Sequence, residues 1–318
     1  MNRSAPHLPV LPAIVDDLLG RGFERPVGWI LDGTLGAAGH SRLLLEAHPT
    51  ARLLGLDRDP SALVLATERL GPLAERSLLV HSTFADGARA AQDAQAGPFD
   101  VILLDIGISS MQVDQPERGF SFMREGPLDM RMDPTQGPSA ADLIADLDEV
   151  SLANLIYELG EERGSRRIAA ALVDARRRSP IRTTTALAEI VTAALPRPRA
   201  PRGRRKRPIH PATKTFQALR LAVNDELGQL ERALPALWEL LSPGGRLGVI
   251  SFHSLEDRIA KNFLRGLKQE KRARVLTKKP RTADEEEIER NPRARSAKFR
   301  VGEKRDPADA IPRREPWP

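Results

Sequence analysis

Five short apolar runs constrain the fold of this 318-residue chain more than any other feature: VGWILDG (27–33), ARLLGLD (51–57), SLLVHS (77–82), FDVILLDIG (99–107) and GRLGVISFH (245–253). Each ends in a loop carrying polar or glycine residues, and stretches of helical character separate them. Strands that are apolar almost throughout are buried on both faces, so the pattern predicts an α/β fold with a mostly parallel sheet covered by helices. Ligands of such sheets bind beyond the carboxyl ends of the strands. Functional residues are therefore expected at 32–41, 57, 82–86, 105–112 and 251–254.

The first four runs follow closely, but about 130 residues separate Ser110 from Pro243, too many for one crossover helix. Helical periodicity recurs at 140–147, 151–160, 162–178 and 184–195, and a long helix is predicted over 211–241, leading into the turn Ser242-Pro243-Gly244-Gly245. An all-helical domain at 113–210 is thus expected to be inserted into a core formed by 1–112 and 211–318. Beyond about residue 265 the chain is charged and punctuated by proline, and it reads as an irregular tail with one strand near Ala297–Val301.

The absence of cysteine excludes disulfide scaffolds, thiolate-held metals and cysteine nucleophiles, and no metal ligands are expected. No apolar run approaches the roughly 18 residues of a membrane span, so a cytoplasmic protein is expected. Net charge is +6, unevenly distributed. Residues 196–208 hold seven basic side chains and no acid, and 261–318 hold 18 basic against 10 acidic, leaving a body of about −9. Two basic segments on an acidic body point to a nucleic-acid partner rather than a membrane, since neither segment is an amphipathic helix with bulky apolar residues. Aromatic residues make up 4% of the chain, which argues against a base-stacking platform and for phosphate contacts plus a pocket for one extruded base.

The first run leads directly into DGTLGAAGHS, whose Gly33, Gly36 and Gly39 precede a helix. Glycines at a strand-to-helix turn let backbone approach a ligand closely. The second run ends at Asp57, where a carboxylate can accept both ribose hydroxyls of an adenosine cofactor, while Asp59 before Pro60 reads as a helix N-cap. A dinucleotide turn reads GxGxxG; this one reads GxxGxxG and opens on Asp32. Negative charge there repels a pyrophosphate and suits the cationic end of S-adenosylmethionine. Phe84 and Asp86, after the third run, are placed to flank the adenine, by packing and by hydrogen bonding respectively, and Phe84 reads equally well as a core residue. A nicotinamide-dependent oxidoreductase is the alternative enzyme; a non-catalytic ribosome-assembly factor of the same fold is the alternative without chemistry.

DGTLGAAGHS, LDRDP, FDVILLDIGISSMQVDQPERGFSFMREGPLDMRMDPTQGPSA, HPATKTFQALRLAVNDEL, SPGGRLGVISFHSLEDRIAK and NPRARSAKFRV resemble successive signatures of the MraW (RsmH) family of bacterial small-subunit ribosomal RNA methyltransferases. The resemblance covers nearly the whole chain. It implies a class I, Rossmann-like methyltransferase with a helical insertion, using S-adenosylmethionine to methylate the N4 amine of a cytidine in the decoding region of 16S ribosomal RNA, within the assembled small subunit. Carried over residue by residue, the family's cofactor contacts fall on Ala38, Gly39, His40, Asp57, Phe84, Asp105 and Gln112. Ala38 stands where the family usually has glycine, and a methyl group there is expected to require negative φ.

Pyrimidine C5 methylation needs a cysteine to add across the ring, so this chain is confined to direct transfer onto a heteroatom. An acceptor must take the proton that becomes acidic as the amine attacks. Candidates for this catalytic role are Asp105, Asp129 and His253. Asp129 and Asp133 have an alternative reading as partners of Arg131 and Arg124, and Ser254 with Asp257 has capping-box spacing.

Overall fold

The computed structural model describes residues 8–196 and 210–306. All of the arginine-rich segment 196–208 except Pro196 lies outside them. The chain divides into two compact units, Met1–Gly107 with Leu227–Pro318, and Ile108–Glu226. The second is wider than the 113–210 read from sequence, because helix Thr213–Asn224 contributes Phe216 and Leu219 to the helical core.

In the first unit β1 (Trp29–Asp32), β2 (Arg52–Asp57), β3 (Ser77–His81), β4 (Phe99–Asp105), β5 (Leu241–Ser251), β6 (Ala273–Val275) and β7 (Lys298–Lys304) form one sheet in the order β3-β2-β1-β4-β5-β7-β6. The first five strands are parallel; β7 runs antiparallel to both β5 and β6. This is the class I methyltransferase fold. Ile30, Leu53, Val101, Leu103 and Ile250 enter the core on one face, and Leu31, Leu54, Ile102, Leu104 and Val249 enter the core on the other. Successive residues thus alternate between two dry layers, which is why the runs are apolar throughout. Each such side chain contributes about 1.5–3 kcal/mol by leaving water.

Two sequence expectations change here. The turn at 242–245 is absorbed into β5 as an irregularity: Phe99 pairs with Leu241 and Val101 with Arg246, so the intervening residues bulge. As far as residue 306 the tail is ordered rather than irregular. It supplies helix Glu285–Arg290 and two strands, and much of its basic charge is used internally. Arg300 grips Asp257 through Nε at 2.6 Å, Arg274 pairs with Glu303 at 2.7 Å, and Arg272 reaches Glu239 and Glu270.

The second unit packs helices Ala140–Asp146, Glu149–Gly160, Ser165–Arg178, Thr184–Ala194 and Thr213–Asn224 around Ile144, Leu152, Ile156, Ile168, Leu172, Leu187 and Leu219. Caps fix the starts. Ser139 and Asp142 form a reciprocal capping box, and Asp148 and Thr183 accept from Ser151 and Ala186 N–H groups. The long helix expected over 211–241 is two helices, because Asp225 adopts φ 47° between Thr213–Asn224 and Glu226–Glu239. The segment from Pro116 to Asp133 is folded tightly on itself. A Cβ at Gly126 would lie 1.9 Å from the carbonyl oxygen of Pro116, and neither backbone can yield alone. Gly126→Ala is therefore expected to destabilise this unit by about 1–3 kcal/mol, seen as a lower urea midpoint. An unchanged midpoint would mean that the segment rearranges freely.

Candidate active site

The parallel strands bring five of the expected positions to one edge of the sheet. Asp32 ends β1, Asp57 ends β2, Phe84 follows β3, Asp105 ends β4 and His253 follows β5. Register links them in series: Leu103 lies beside Asp32, and Asp105 beside Ile250.

The glycine turn is held by its own carboxylates. Asp57 Oδ2 accepts the Gly36 N–H at 2.7 Å and Oδ1 accepts the Asp59 N–H at 2.8 Å. Gly36 needs its φ of 51° to present that N–H. Burial pushes the Asp57 carboxyl up to about 6, against the pull of its two N–H donors. Asp59 caps the helix Pro60–Leu70 through the Ser61 N–H, as its spacing predicted.

Asp32 departs from the sequence reading. It is 1% exposed; its oxygens accept from the Thr34 N–H at 3.1 Å and the Ser41 hydroxyl at 2.6 Å. Burial raises its pKa above the carboxylate norm. It staples the turn to the following helix instead of presenting charge to a ligand.

Ala38 is the second correction. It has φ 58° and ψ 25°, left-handed where a negative φ was expected, and its methyl group is buried. A non-glycine residue pays about 1–2 kcal/mol for this conformation. It is held by its N–H bond to Leu35 O at 2.8 Å and by Arg42 N–H donating to its carbonyl at 2.9 Å. The helix Gly39–Ala47 starts at the next residue, and a Cβ on Gly39 would touch the Pro9 ring at 3.3 Å.

His40, in the first turn of that helix, and Asp105 form a cluster with unused bonding capacity at the strand ends. His40 Nε2 stands 3.5 Å from Asp105 Oδ2, too far for a good hydrogen bond. Both ring nitrogens of His40 and Oδ1 of Asp105 are buried without a hydrogen-bond partner among the described residues. The Asp105 N–H donates to Thr34 Oγ1 at 2.6 Å, fixing the carboxylate against the glycine turn. Buried polar atoms are nearly always paired, so these three mark a place for a polar ligand. Phe84 is half-buried beside the same turn, its Cβ 3.0 Å from where a Gly33 Cβ would stand. Asp86, expected at the adenine, accepts from the Thr83 hydroxyl at 2.6 Å.

His253 precedes helix Ser254–Gln269, and its Nε2 lies 2.9 Å from Glu256 Oε1. Oε2 of the fully buried Glu256 accepts the N–H groups of Phe252 and His253. The reach-back at this helix start is therefore made by Glu256, not Asp257, whose carboxylate holds Arg300.

The other two candidates belong to the helical unit. Gln112 is 5% exposed and its Oε1 accepts the Ser109 N–H at 3.0 Å. Asp129 is bound bidentately by Arg131, at 2.9 and 2.7 Å. Partial burial pushes its pKa up, but the hydrogen bonds and charge of Arg131 prevail and hold it below the usual carboxylate range. Sequence reasoning passed over Asn224, which is 2% exposed. It donates to Met130 O and accepts from Met132 N–H, both at 2.8 Å, holding Met130 at φ 63°.

The MraW methylase family matches residues 4–305. Among curated relatives, the ribosomal RNA small subunit methyltransferase H of Geobacter sulfurreducens is 49% identical over 94% of this chain and 98% of its own length. Proteins of the same name from Methylobacterium sp. (strain 4-46) and Nostoc sp. are each 49% identical, over 95% and 94% of this chain and 92% of their own lengths. With the sheet order, the glycine turn and the carboxylates at the strand ends, these matches establish that the chain belongs to the MraW methylase family.

Proposed function

We propose that this chain transfers the methyl group of S-adenosylmethionine to the N4 amine of a cytidine in the decoding region of small-subunit ribosomal RNA, acting in the cytoplasm on the assembled small subunit. Family membership supports the activity and the RNA substrate. The observation that carries the chemistry is the cluster of unpartnered buried atoms on His40 and Asp105 at the carboxyl ends of the strands. No helix among the described residues is long and apolar enough to cross a membrane.

The bound sulfonium would supply an electrophilic methyl group. Around it, Ala38, Gly39 and His40 would form the helix-start wall, Asp57 would accept the ribose hydroxyls and Phe84 would pack on the adenine, while Gln112, carried over from the family, belongs to the helical unit. Asp105 would serve as the proton acceptor, its carboxylate taking the proton that the substrate amine must shed on methylation. Of the other two candidates, Asp129 is a weak base while Arg131 holds it, and His253 faces Glu256. Alignment of amine and methyl group contributes much of the rate, by an effective molarity of about 10^5–10^8 M in favourable systems.

The elevated Asp57 pKa gives a pH dependence. Cofactor affinity is expected to fall as pH drops through about 6, since the protonated carboxyl loses acceptor capacity; one unit below, affinity is about tenfold weaker. The stability of the ligand-free protein moves the other way. A raised carboxyl pKa adds stability that is full below the unfolded value of 3.8 and is lost as pH rises through about 6. Titration calorimetry between pH 5 and 8 checks this, and an inflection surviving in Asp57→Asn would assign it to another group.

The function itself is tested with labelled S-adenosylmethionine and small ribosomal subunits, followed by nucleoside digestion and mass spectrometry. N4-methylcytidine is expected; label only at a ring carbon, or only in protein, would overturn the assignment.

A further inference from the structure

We propose that His210, seated on Phe122, is a base-stacking platform for an unpaired nucleotide of the RNA substrate, an inference that rests on the RNA reading above. Within the helical unit the three rings of Phe216, Phe122 and His210 run from core to surface. Phe216 is 5% exposed, Phe122 is half-buried and meets it edge-on at 4.9 Å, and the exposed His210 lies over Phe122 at 4.6 Å with 29° between the planes. The imidazole is also pinned from the side: its Nδ1 accepts the Ala212 N–H at 3.2 Å, which leaves the ring proton on Nε2. A surface histidine needs neither restraint for solubility, and a ring already fixed in plane loses little entropy when a base stacks on it.

The surroundings suit a nucleotide. Met123, next to Phe122, is 81% exposed, and Arg124 beyond it is exposed and forms no ion pair among the described residues. In sequence, seven basic residues end at Arg207, three positions before His210. A flat exposed ring for the base, with cations for its phosphates, is the pairing that single-strand binders use. The low count of phenylalanine, tryptophan and tyrosine concealed this, because the outermost ring is a histidine.

The test measures binding of the full-length protein to a small-subunit ribosomal RNA transcript across a series of KCl concentrations. His210→Ala is expected to weaken binding by about 5- to 100-fold at every salt concentration while leaving the slope of log affinity against log salt unchanged. His210→Phe, which keeps the ring and discards the nitrogens, is expected to recover affinity to within about threefold of wild type. The platform is wrong if His210→Ala binds as wild type does, if the slope becomes shallower by about one as for a lost phosphate contact, or if His210→Phe is as weak as the alanine variant. Wild-type protein that binds no RNA would overturn the RNA reading itself, and the platform with it. His210 is exposed, so unchanged thermal midpoints are expected for both variants and separate binding from folding.

Discussion

Asp105→Asn is expected to lower the rate constant of methyl transfer by about 10^2- to 10^4-fold, with the cofactor dissociation constant changed by less than about tenfold. The amide is nearly isosteric, so β4 and the Thr34 bond to the residue 105 N–H persist. What disappears is an acceptor for the amine proton. In the wild-type protein Oδ1 is buried and unpartnered, and the nearest cation-forming group is the His40 ring at 3.5 Å from Oδ2. A carboxylate so placed keeps its lone pairs for a ligand, and the amine must shed a proton as it attacks. Single-turnover rates at saturating cofactor, with calorimetric cofactor affinities, separate the roles. A large loss of affinity with an unchanged single-turnover rate would make Asp105 a cofactor contact only and return the proton to another acceptor. His40→Gln should cost less than Asp105→Asn, because the imidazole touches the carboxylate without completing a hydrogen bond to it.

The same residues show how far the sequence could be read. Strand runs were legible because both faces of the sheet are buried, so burial writes itself into residues 53–56 of β2 and 99–104 of β4. Positions at the strand ends followed from topology. Asp32 was misread because sequence gives the sign of a charge and not its partner: the Ser41 hydroxyl lies nine residues away and comes within reach only when the turn folds. Ala38 was misread because steric preference was set against a tertiary constraint, and two backbone hydrogen bonds hold it left-handed. At 253–257 two overlapping frames, His253 with Glu256 and Ser254 with Asp257, have the same spacing; only the Arg300 bond to Asp257 decides between them. The tail shows the principle at larger scale. Several of its lysines and arginines look like a free basic appendage until Asp257 and Glu239 arrive from elsewhere in the chain and Glu303 pairs with Arg274 within it.

Arg246→Ala is expected to destabilise the protein by about 3–5 kcal/mol, the range for removing one partner of a buried, hydrogen-bonded charge. A buried arginine inside an otherwise apolar strand looks anomalous in sequence, and its contacts explain it. The guanidinium donates to the carbonyls of Leu18, Arg21 and Gly22 at 2.7–2.8 Å and to Glu303 at 3.1 Å, and it lies 4.4 Å over the Phe23 ring. The Leu18 carbonyl lies in the last turn of the helix Pro12–Leu19 and those of Arg21 and Gly22 in the loop after it, so one side chain on β5 ties that helix end and its exit loop to β7. Truncation would leave three carbonyls without this donor, and among the described residues Glu303 would keep its ion pair with Arg274. Arg246→Lys should recover less than half of the loss, because a single ammonium cannot span carbonyls from three residues or stack on the ring. Urea denaturation gives the magnitude, and amide exchange localises it: Pro12–Leu19 and β7 should lose protection before β1, β2 and β4. Equal loss across the whole sheet would show that Arg246 supports global packing rather than this one junction. If the junction loosens, the effect should also reach the proposed cofactor site, since Pro9 just ahead of the helix packs on Gly39 and Val10 and Leu11 share a core with Leu44 and Leu45.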